Sequence, residues 1–415
     1  MEAEVLVIGA GPAGATVADR LARAGHDVLV VEEHPRVGYP VQCAGLVSAR
    51  VLELAQSRAM VRTPVHGATV FSPGLRGVAF RAPDPRAYVI DRAGLDIALA
   101  ERAARAGARF ETGLRFDGAS RRADGSFAAR LTAADGGERT ISARLLVGAD
   151  GVTSAVARAL RLRRPVEILP AFEAEFPRSP GDPDRVEVYL GRRIAPGLFG
   201  WWIPDGAGGA RVGVAVSAGP VSARAYFERL LVHLERRFGT VLTGATAYLV
   251  SGIPIGLVPR TAGDGALLVG DAAAQVKPLS GGGIFTGMRC AEIAAEVAHA
   301  ALAAGDLSAR RLGEYDERWR AELGDEFSRA LYLRRVLLRL SDDDLERVIA
   351  ALDGAGMRET IVAFGDIDFP SHLARRLFRQ SPSLVRLFPK ALGALRSSRA
   401  GRVPDVEPAR SRAAK

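Results

Sequence analysis

Three clusters that combine glycine with an acidic residue, spread over the first two thirds of the chain, are the residues best suited to chemistry. The first, Gly9-Ala10-Gly11-Pro12-Ala13-Gly14, follows a short apolar run at 5–8 and opens a stretch of helical composition at 13–24. Glycines at this spacing allow a tight turn, admit a pyrophosphate close to the backbone and let helix pack on strand, with the helix N-terminus turned to the phosphate charge. A second strand at 27–31 leads to Glu32, whose carboxylate is placed to accept hydrogen bonds from ribose hydroxyls and to repel a 2′-phosphate. Further along, the apolar strand 267–269 runs into Gly270-Asp271-Ala272-Ala273 and then Pro278-Leu279-Ser280-Gly281-Gly282-Gly283, before a long alanine-rich helix at 284–304. Asp271 suits a second polyhydroxyl chain, the ribityl of a flavin. The amides around Gly281, Gly283 and Ile284, at the start of that helix, suit negative charge on the N1/O2 edge of a reduced flavin. The first cluster alone is compatible with NAD; with the third, FAD is the expected cofactor, held by Gly9, Gly11, Ala13, Gly14, Glu32, Asp271, Gly281, Gly283 and Ile284.

The middle cluster, Gly148-Ala149-Asp150-Gly151, has Ser154 and Arg158 on the helix that follows. Asp150 is expected near the cofactor, or as a helix cap at a strand-to-helix junction. A helix is expected at 91–106 with Asp91 as N-cap. The other helices expected lie at 314–340, from an acid-rich start at Ser341-Asp342-Asp343-Asp344, and onward to about residue 395. Short β patterns at 61–87 and 166–257 predict an antiparallel sheet inserted over the flavin. The expected organisation is a discontinuous cofactor domain (1–60, 88–165 and 258–305), a β-rich substrate domain (61–87 and 166–257), a helical region (306–400) and a disordered tail (401–415).

With these elements the chain resembles the geranylgeranyl reductase family of FAD-dependent oxidoreductases, and within it the archaeal digeranylgeranylglycerophospholipid reductases. The resemblance extends to about residue 395. Beyond the cofactor signatures it is carried by Gly38-Tyr39-Pro40-Val41-Gln42-Cys43-Ala44-Gly45-Leu46-Val47-Ser48, by Phe199-Gly200-Trp201-Trp202-Ile203-Pro204 and by Phe364-Gly365-Asp366-Ile367-Asp368-Phe369-Pro370. It implies an α/β fold: a Rossmann-type FAD-binding domain with an inserted antiparallel β substrate domain, like p-hydroxybenzoate hydroxylase, and a C-terminal helical region. It also implies that the loop of Cys43, Ala44 and Gly45 passes the isoalloxazine and that Arg92 contacts FAD; an exposed first-turn arginine is the plainer account of Arg92. Cys43 is the candidate catalytic residue, as a proton donor or as pocket lining, since a free thiol titrates near ~8.5 and is mostly protonated at neutral pH. Phe199, Trp201, Trp202 and Pro204 are expected to wall an isoprenoid channel, the alternative being ordinary sheet core. The family pattern is broken at Phe199, Ile203 and Ala215, which leaves chain length and head group open.

The implied reaction is reduction of isolated C=C bonds of a polyprenyl lipid, in a water-poor cavity that positions the alkene and supplies a proton. Each buried CH₂ contributes about 0.8 kcal/mol, so the tail alone can hold such a substrate. No second Rossmann unit is evident, so NAD(P)H or a ferredoxin-like protein is expected to donate electrons transiently. The competing expectation is a flavin monooxygenase or halogenase on the same fold. Against it, the chain has only three lysines, Lys277, Lys390 and Lys415, none in the strand region where a halogenase carries its own. A non-catalytic flavin- or lipid-binding protein is the third class.

The 415 residues, 48% of them hydrophobic, can bury two or three domains. Two cysteines, Cys43 and Cys290, suit a reducing cytoplasm better than a disulfide scaffold. Glu2 and Glu4 argue against a signal peptide, and no apolar run is long enough to span a bilayer. No metal site is expected. The net charge of +9 is local: residues 371–402 carry eight Lys/Arg and no acid, interleaved with leucine and phenylalanine. That pattern fits a surface helix on the anionic inner face of a membrane, or a plain helical cap. Nucleic acid is not an expected partner, because the segment has only phenylalanines to stack and no binding motif.

Overall fold

The computed structural model describes residues 2–162, 165, 167–178, 180–381 and 384. Its first sheet has eight strands. Glu2–Ile8 lies at the centre, parallel to Glu138–Gly148 on one side and to Val28–Glu32 on the other, with Ala266–Leu268 and Arg109–Thr112 next outward. Both faces are covered, so these central strands read as continuous apolar runs. Val5 and Val7 point into one core, shared with the helices Pro12–Arg23 and Ile284–Ala303. Leu6 and Ile8 point into another, under the antiparallel strands Leu114–Arg121 and Phe127–Ala133.

Register is what makes this sheet useful. Ile8 lies opposite Gly148 and Val31, and Gly148 opposite Leu268. The turns that follow these strands therefore emerge together at one edge, the carboxyl ends of parallel strands, where open α/β sheets bind ligands.

The second sheet has seven strands, in the order Ala247–Ile255, Glu167–Phe176, Ala210–Ala215, Phe199–Pro204, Arg185–Tyr189, Gly67–Phe71, Gly77–Arg81. It is antiparallel except where Gly67–Phe71 runs parallel to Arg185–Tyr189, a correction to the uniformly antiparallel sheet expected. A parallel neighbour arises because these two strands come from distant insertions and are not joined by a hairpin. Val61–Val65 leaves this sheet and joins Leu46–Val47 and Ala87–Ile90 in a small one of three strands. One face of the seven-stranded sheet is buried under the amphipathic helix Ala223–Phe238, through Phe227, Leu230 and Leu234. The other face turns toward the loop of Ala44 and Leu46.

Among the C-terminal helices, Ser341 starts Asp342–Leu352 with a reciprocal capping box through Asp344. The continuous helix expected at 314–340 is instead Glu314–Trp319, a wider π turn at Arg320–Gly324, and Asp325–Leu337. Trp319 and Phe327 are buried on either side of that turn and Leu323 within it, so the extra residue keeps the apolar face on the core. Pro370–Gln380 packs Ala374, Leu377 and Phe378 against the helix Asp325–Leu337, and Arg375, Arg376 and Arg379 point outward. The rest of the basic segment and the expected tail lie outside the described residues.

Candidate active site

The three glycine signatures meet in space. Gly9 has a φ of +101°, and a Cβ on it would lie 2.4 Å from the Ala149 carbonyl oxygen. A Cβ on Gly14 would lie 2.0 Å from the Gly9 carbonyl oxygen, and one on Gly270 would come within 3.0 Å of the Ala13 methyl. Any side chain at these three positions would prise the turns apart. Gly11 differs: a Cβ there would meet nothing within 4 Å, so the N-terminus of Pro12–Arg23 faces open space. An anion there would meet the free amides and positive end of the helix.

Glu32 closes the outer end of this cradle. Its Oε2 accepts from Ala10 N at 2.9 Å, and its Oε1 accepts from His34 N at 3.0 Å and pairs with His34 Nδ1 at 2.7 Å. The carboxylate is thus fixed in orientation, still half-buried, at the strand end where a ribose would lie. Asp150 sits beside Gly9, and its oxygens are taken up locally: Ser154 Oγ donates at 2.6 Å, Ala155 N at 2.7 Å and Val156 N at 3.0 Å. It caps the short helix Ala155–Ala159, which is the alternative the sequence left open. Arg158 donates to Thr153 O within the same turn.

At the inner end stands Asp271. Its carboxylate accepts no hydrogen bond from any described residue, a Cβ on Gly283 would lie 3.0 Å from its Oδ1, and burial pushes its carboxyl up to about 6 against the opposing charge of Arg92. A desolvated acceptor without donors, next to the half-buried Gly281, Gly283 and Ile284, fits a ribityl chain. Gly270 is pinned behind it: Gly270 N donates to Gln275 Oε1 (2.8 Å), Gln275 Nε2 to Tyr315 Oη (2.7 Å), and Tyr315 Oη to Leu268 O (3.1 Å).

Arg92 is half-buried, not solvated. It pairs with the buried Asp96, and its charge acts on Cys43 and on Asp271. One guanidinium thus acts electrostatically on both the thiol loop and the flavin turn. Gly45 N donates to Cys43 Sγ at 3.4 Å. A second guanidinium, unremarked in the sequence, secures the loop from the sheet side. Arg211, its side chain 3% exposed, donates to Ala44 O at 2.7 Å and to Ile90 O at 3.2 Å, and pairs with Glu175 at 3.1 Å.

The aromatic strand divides by face. Trp201 and Ile203 lie on the side of Ala44 and Leu46, and Phe199 meets Trp201 edge to face at 6.3 Å. Trp202 is buried under Ala223–Phe238 against Phe238, and Pro204 shares its face by strand alternation. Trp202 and Pro204 are therefore corrected from channel wall to the covered core side; the alternation was visible, but both faces are buried and the sequence does not say which one meets the flavin.

The segment 364–370 locks the Gly281–Gly283 turn from behind. Lys277 Nζ donates to Asp368 Oδ1 and to Ile367 O, both at 2.8 Å, and Arg50 reaches Asp366 and Asp368 at 2.8–3.1 Å while lying over the Phe369 ring. Lys277 is 6% exposed and fully committed to these partners. Among the described residues no group of His, Cys, Asp and Glu could hold a metal ion.

A Rossmann-type sheet whose three glycine turns converge at one edge, flanked by Glu32 and Asp271, defines an FAD-dependent oxidoreductase, and residues 2–175 match the FAD binding domain family. Over 398 residues the chain is 34% identical to digeranylgeranylglycerophospholipid reductase 2 of Methanothermobacter thermautotrophicus, covering 93% of this chain and 99% of that one. Over 395 residues it is 31% identical to the digeranylgeranylglycerophospholipid reductase of Methanocaldococcus jannaschii, covering 93% and 97%. In fold it is similar to a geranylgeranyl bacteriochlorophyll reductase-like protein from Thermoplasma acidophilum, with a TM-score of 0.82, 24% identity and coverage of 95% and 98%. A flavin-dependent brominase shares the fold at a TM-score of 0.67 and 17% identity, covering 92% of this chain and 99% of that one. The chain belongs to the digeranylgeranylglycerophospholipid reductase family.

Proposed function

We propose that this enzyme saturates isolated C=C bonds of a polyprenyl lipid of the geranylgeranyl type. The observation that supports it is that Arg211 holds Ala44 O beside Cys43 against the apolar Trp201 and Ile203 face, while the Arg92 charge acts on both Cys43 and Asp271. When bound and reduced, FAD supplies the hydride. Gly9, Gly11, Ala13, Gly14 and Glu32 would hold its adenosine and pyrophosphate, Asp271 its ribityl, and Gly281, Gly283 and Ile284 its ring edge. Ala44, Gly45 and Arg92 would flank the ring. Cys43 would line the position of the reacting alkene. Trp201, Ile203 and Phe199 exclude water there, which strengthens every charge interaction in the site.

The halogenase alternative needs a free active-site lysine. Lys277 is buried and tied to Asp368 and Ile367, and Lys390 and Lys415 lie outside the described residues. Electrons would come transiently from NAD(P)H or a ferredoxin-like protein. The enzyme would work in the cytoplasm at the inner membrane face, drawn there by charge, since Leu377 and Phe378 are already packed inward. No helix among the described residues is long and apolar enough to cross a membrane. Anaerobic mixing of dithionite-reduced enzyme with geranylgeranyl lipids, followed by mass spectrometry, tests the reaction. A gain of two hydrogens per reduced bond supports it; no anaerobic mass gain, with oxygen inserted once air is admitted, refutes it.

A further inference from the structure

Alkene reduction consumes a proton as well as a hydride, and the seven-stranded sheet holds a carboxyl suited to supply it. Glu173, Gly213 and Trp201 lie side by side across three adjacent strands: Glu173 pairs with Gly213, and Gly213 with Trp201. Because Gly213 has no side chain, the Trp201 indole lies flat across it; a Cβ there would come within 2.4 Å of the ring. The indole Nε1 thereby reaches Glu173 Oε2 at 2.7 Å. Oε1 of Glu173 accepts no hydrogen bond from any described residue. The side chain is on the face that carries Arg211, whose Nη1 holds Ala44 O next to Cys43.

We propose that Glu173 holds the proton that alkene reduction consumes and delivers it to the substrate carbon that does not receive the hydride. The proposal rests on the polyprenyl-reductase reading above. The electron pair and one hydrogen come with the hydride from reduced FAD. The O–H bond of Glu173 breaks, a C–H bond forms at the second alkene carbon as the π bond is lost, and solvent returns a proton to the carboxylate.

The surroundings favour a neutral acid at rest. Burial pushes the Glu173 carboxyl up to about 7, with the Trp201 hydrogen bond and the Arg211 charge pulling it down and Glu175 pushing it further up. Those are the charged groups that face it: Glu175 on its own strand and Arg211 on the next. The strand on its other side presents Leu249, and Trp201 reaches it from two strands away; neither titrates. An acid with a pKa near the working pH combines a held proton with readiness to give it up.

The test is anaerobic single-turnover reduction of a geranylgeranyl lipid by the reduced holoenzyme across neutral pH, with Glu173→Gln, Glu173→Asp and Cys43→Ser compared. The wild type should slow about tenfold per pH unit above about 7. Glu173→Gln, whose amide oxygen still accepts from Trp201, should be roughly 100-fold slower or worse and lose that pH limb, while flavin reduction by the donor is unchanged. Glu173→Asp and Cys43→Ser should keep the limb. An infrared carboxylic C=O band in the wild-type holoenzyme, fading as pH rises through neutrality and missing in Glu173→Gln, is the readout independent of turnover. An unaltered limb in Glu173→Gln, or a wild-type carboxyl already ionised at slightly acid pH, overturns the proposal; the second readout stands even if the variant does not fold. Loss of the limb in Cys43→Ser alone would move the proton to the thiol and also overturn it. Failure of the wild type to reduce any lipid overturns the substrate reading instead.

Discussion

Replacing Asp271 by Asn should weaken FAD binding and remove its pH dependence below about pH 6. In the protein without FAD, burial holds this carboxyl at about 6. Ribityl hydroxyls donating to the carboxylate favour its charged form, so its pKa must fall when FAD binds. The proton present below about pH 6 then has to leave on binding, so FAD affinity declines as pH falls through 6 and is flat above it. If the bound carboxyl returns to the ordinary aspartate value of 3.8, the change corresponds to about 3 kcal/mol, or roughly 100-fold in Kd. That agrees with one or two hydrogen bonds to a charged group at about 1.5–3 kcal/mol each. The same shift acts in reverse on the FAD-free fold. A carboxyl raised in the folded state costs stability as pH rises from its unfolded value through about 6, so Asp271→Asn without FAD should be up to about 3 kcal/mol more stable at neutral pH. Flavin fluorescence quenching during titration of FAD-free protein, above and below pH 6, reads the affinity; denaturant titration reads the stability. A variant that binds FAD as tightly as the wild type above pH 6, or that retains the wild-type decline below it, would refute the ribityl assignment.

Glu32→Ala should weaken FAD by about 1.5–3 kcal/mol in the same titration, through loss of charge-assisted ribose contacts; unchanged affinity would remove Glu32 from the site. Lys277→Met leaves the buried Asp368 with Arg50 as its remaining cation and should cost less, by denaturant titration, than the roughly 3–5 kcal/mol of a fully unpaired buried charge. Changing Asp368 to Leu as well should recover much of that loss, and a double variant no better than the single one would mean that the pair is not what holds the segment 364–370. Sedimentation with anionic liposomes should show salt-sensitive binding of the wild type, about 1 kcal/mol per basic residue near the surface. Changing Arg375, Arg376, Arg379 and Arg386 to Gln should abolish it; undiminished binding by that variant would leave the segment as a helical cap.

The cofactor turns were legible because their requirements are local: a backbone that must pass within a carbonyl's reach of another turn admits only glycine, as at Gly9 and Gly14, and Gly270 needs it for a positive φ. Asp150 was ambiguous for the same reason, since a carboxylate at a strand-to-helix junction finds three donors within six residues before any ligand competes. What stayed hidden depends on which surface covers a strand. Ala171-Phe172-Glu173-Ala174-Glu175-Phe176 alternates as a strand with one wet face would, yet Glu173 is 2% exposed, because the loop of Ala44 lies over that face and Arg211 crosses the gap to hold it. The Lys277–Asp368 pair joins residues 91 positions apart, and only the scarcity of lysine in the chain hinted that this one was special. Isolated buried charges of this kind destabilise a fold unless each finds its partner. Arg211 is held on the Cys43 loop and Lys277 with Asp368 on the Gly281–Gly283 turn, so these ion pairs satisfy buried charge and also fix the two segments between which a flavin and an alkene would meet.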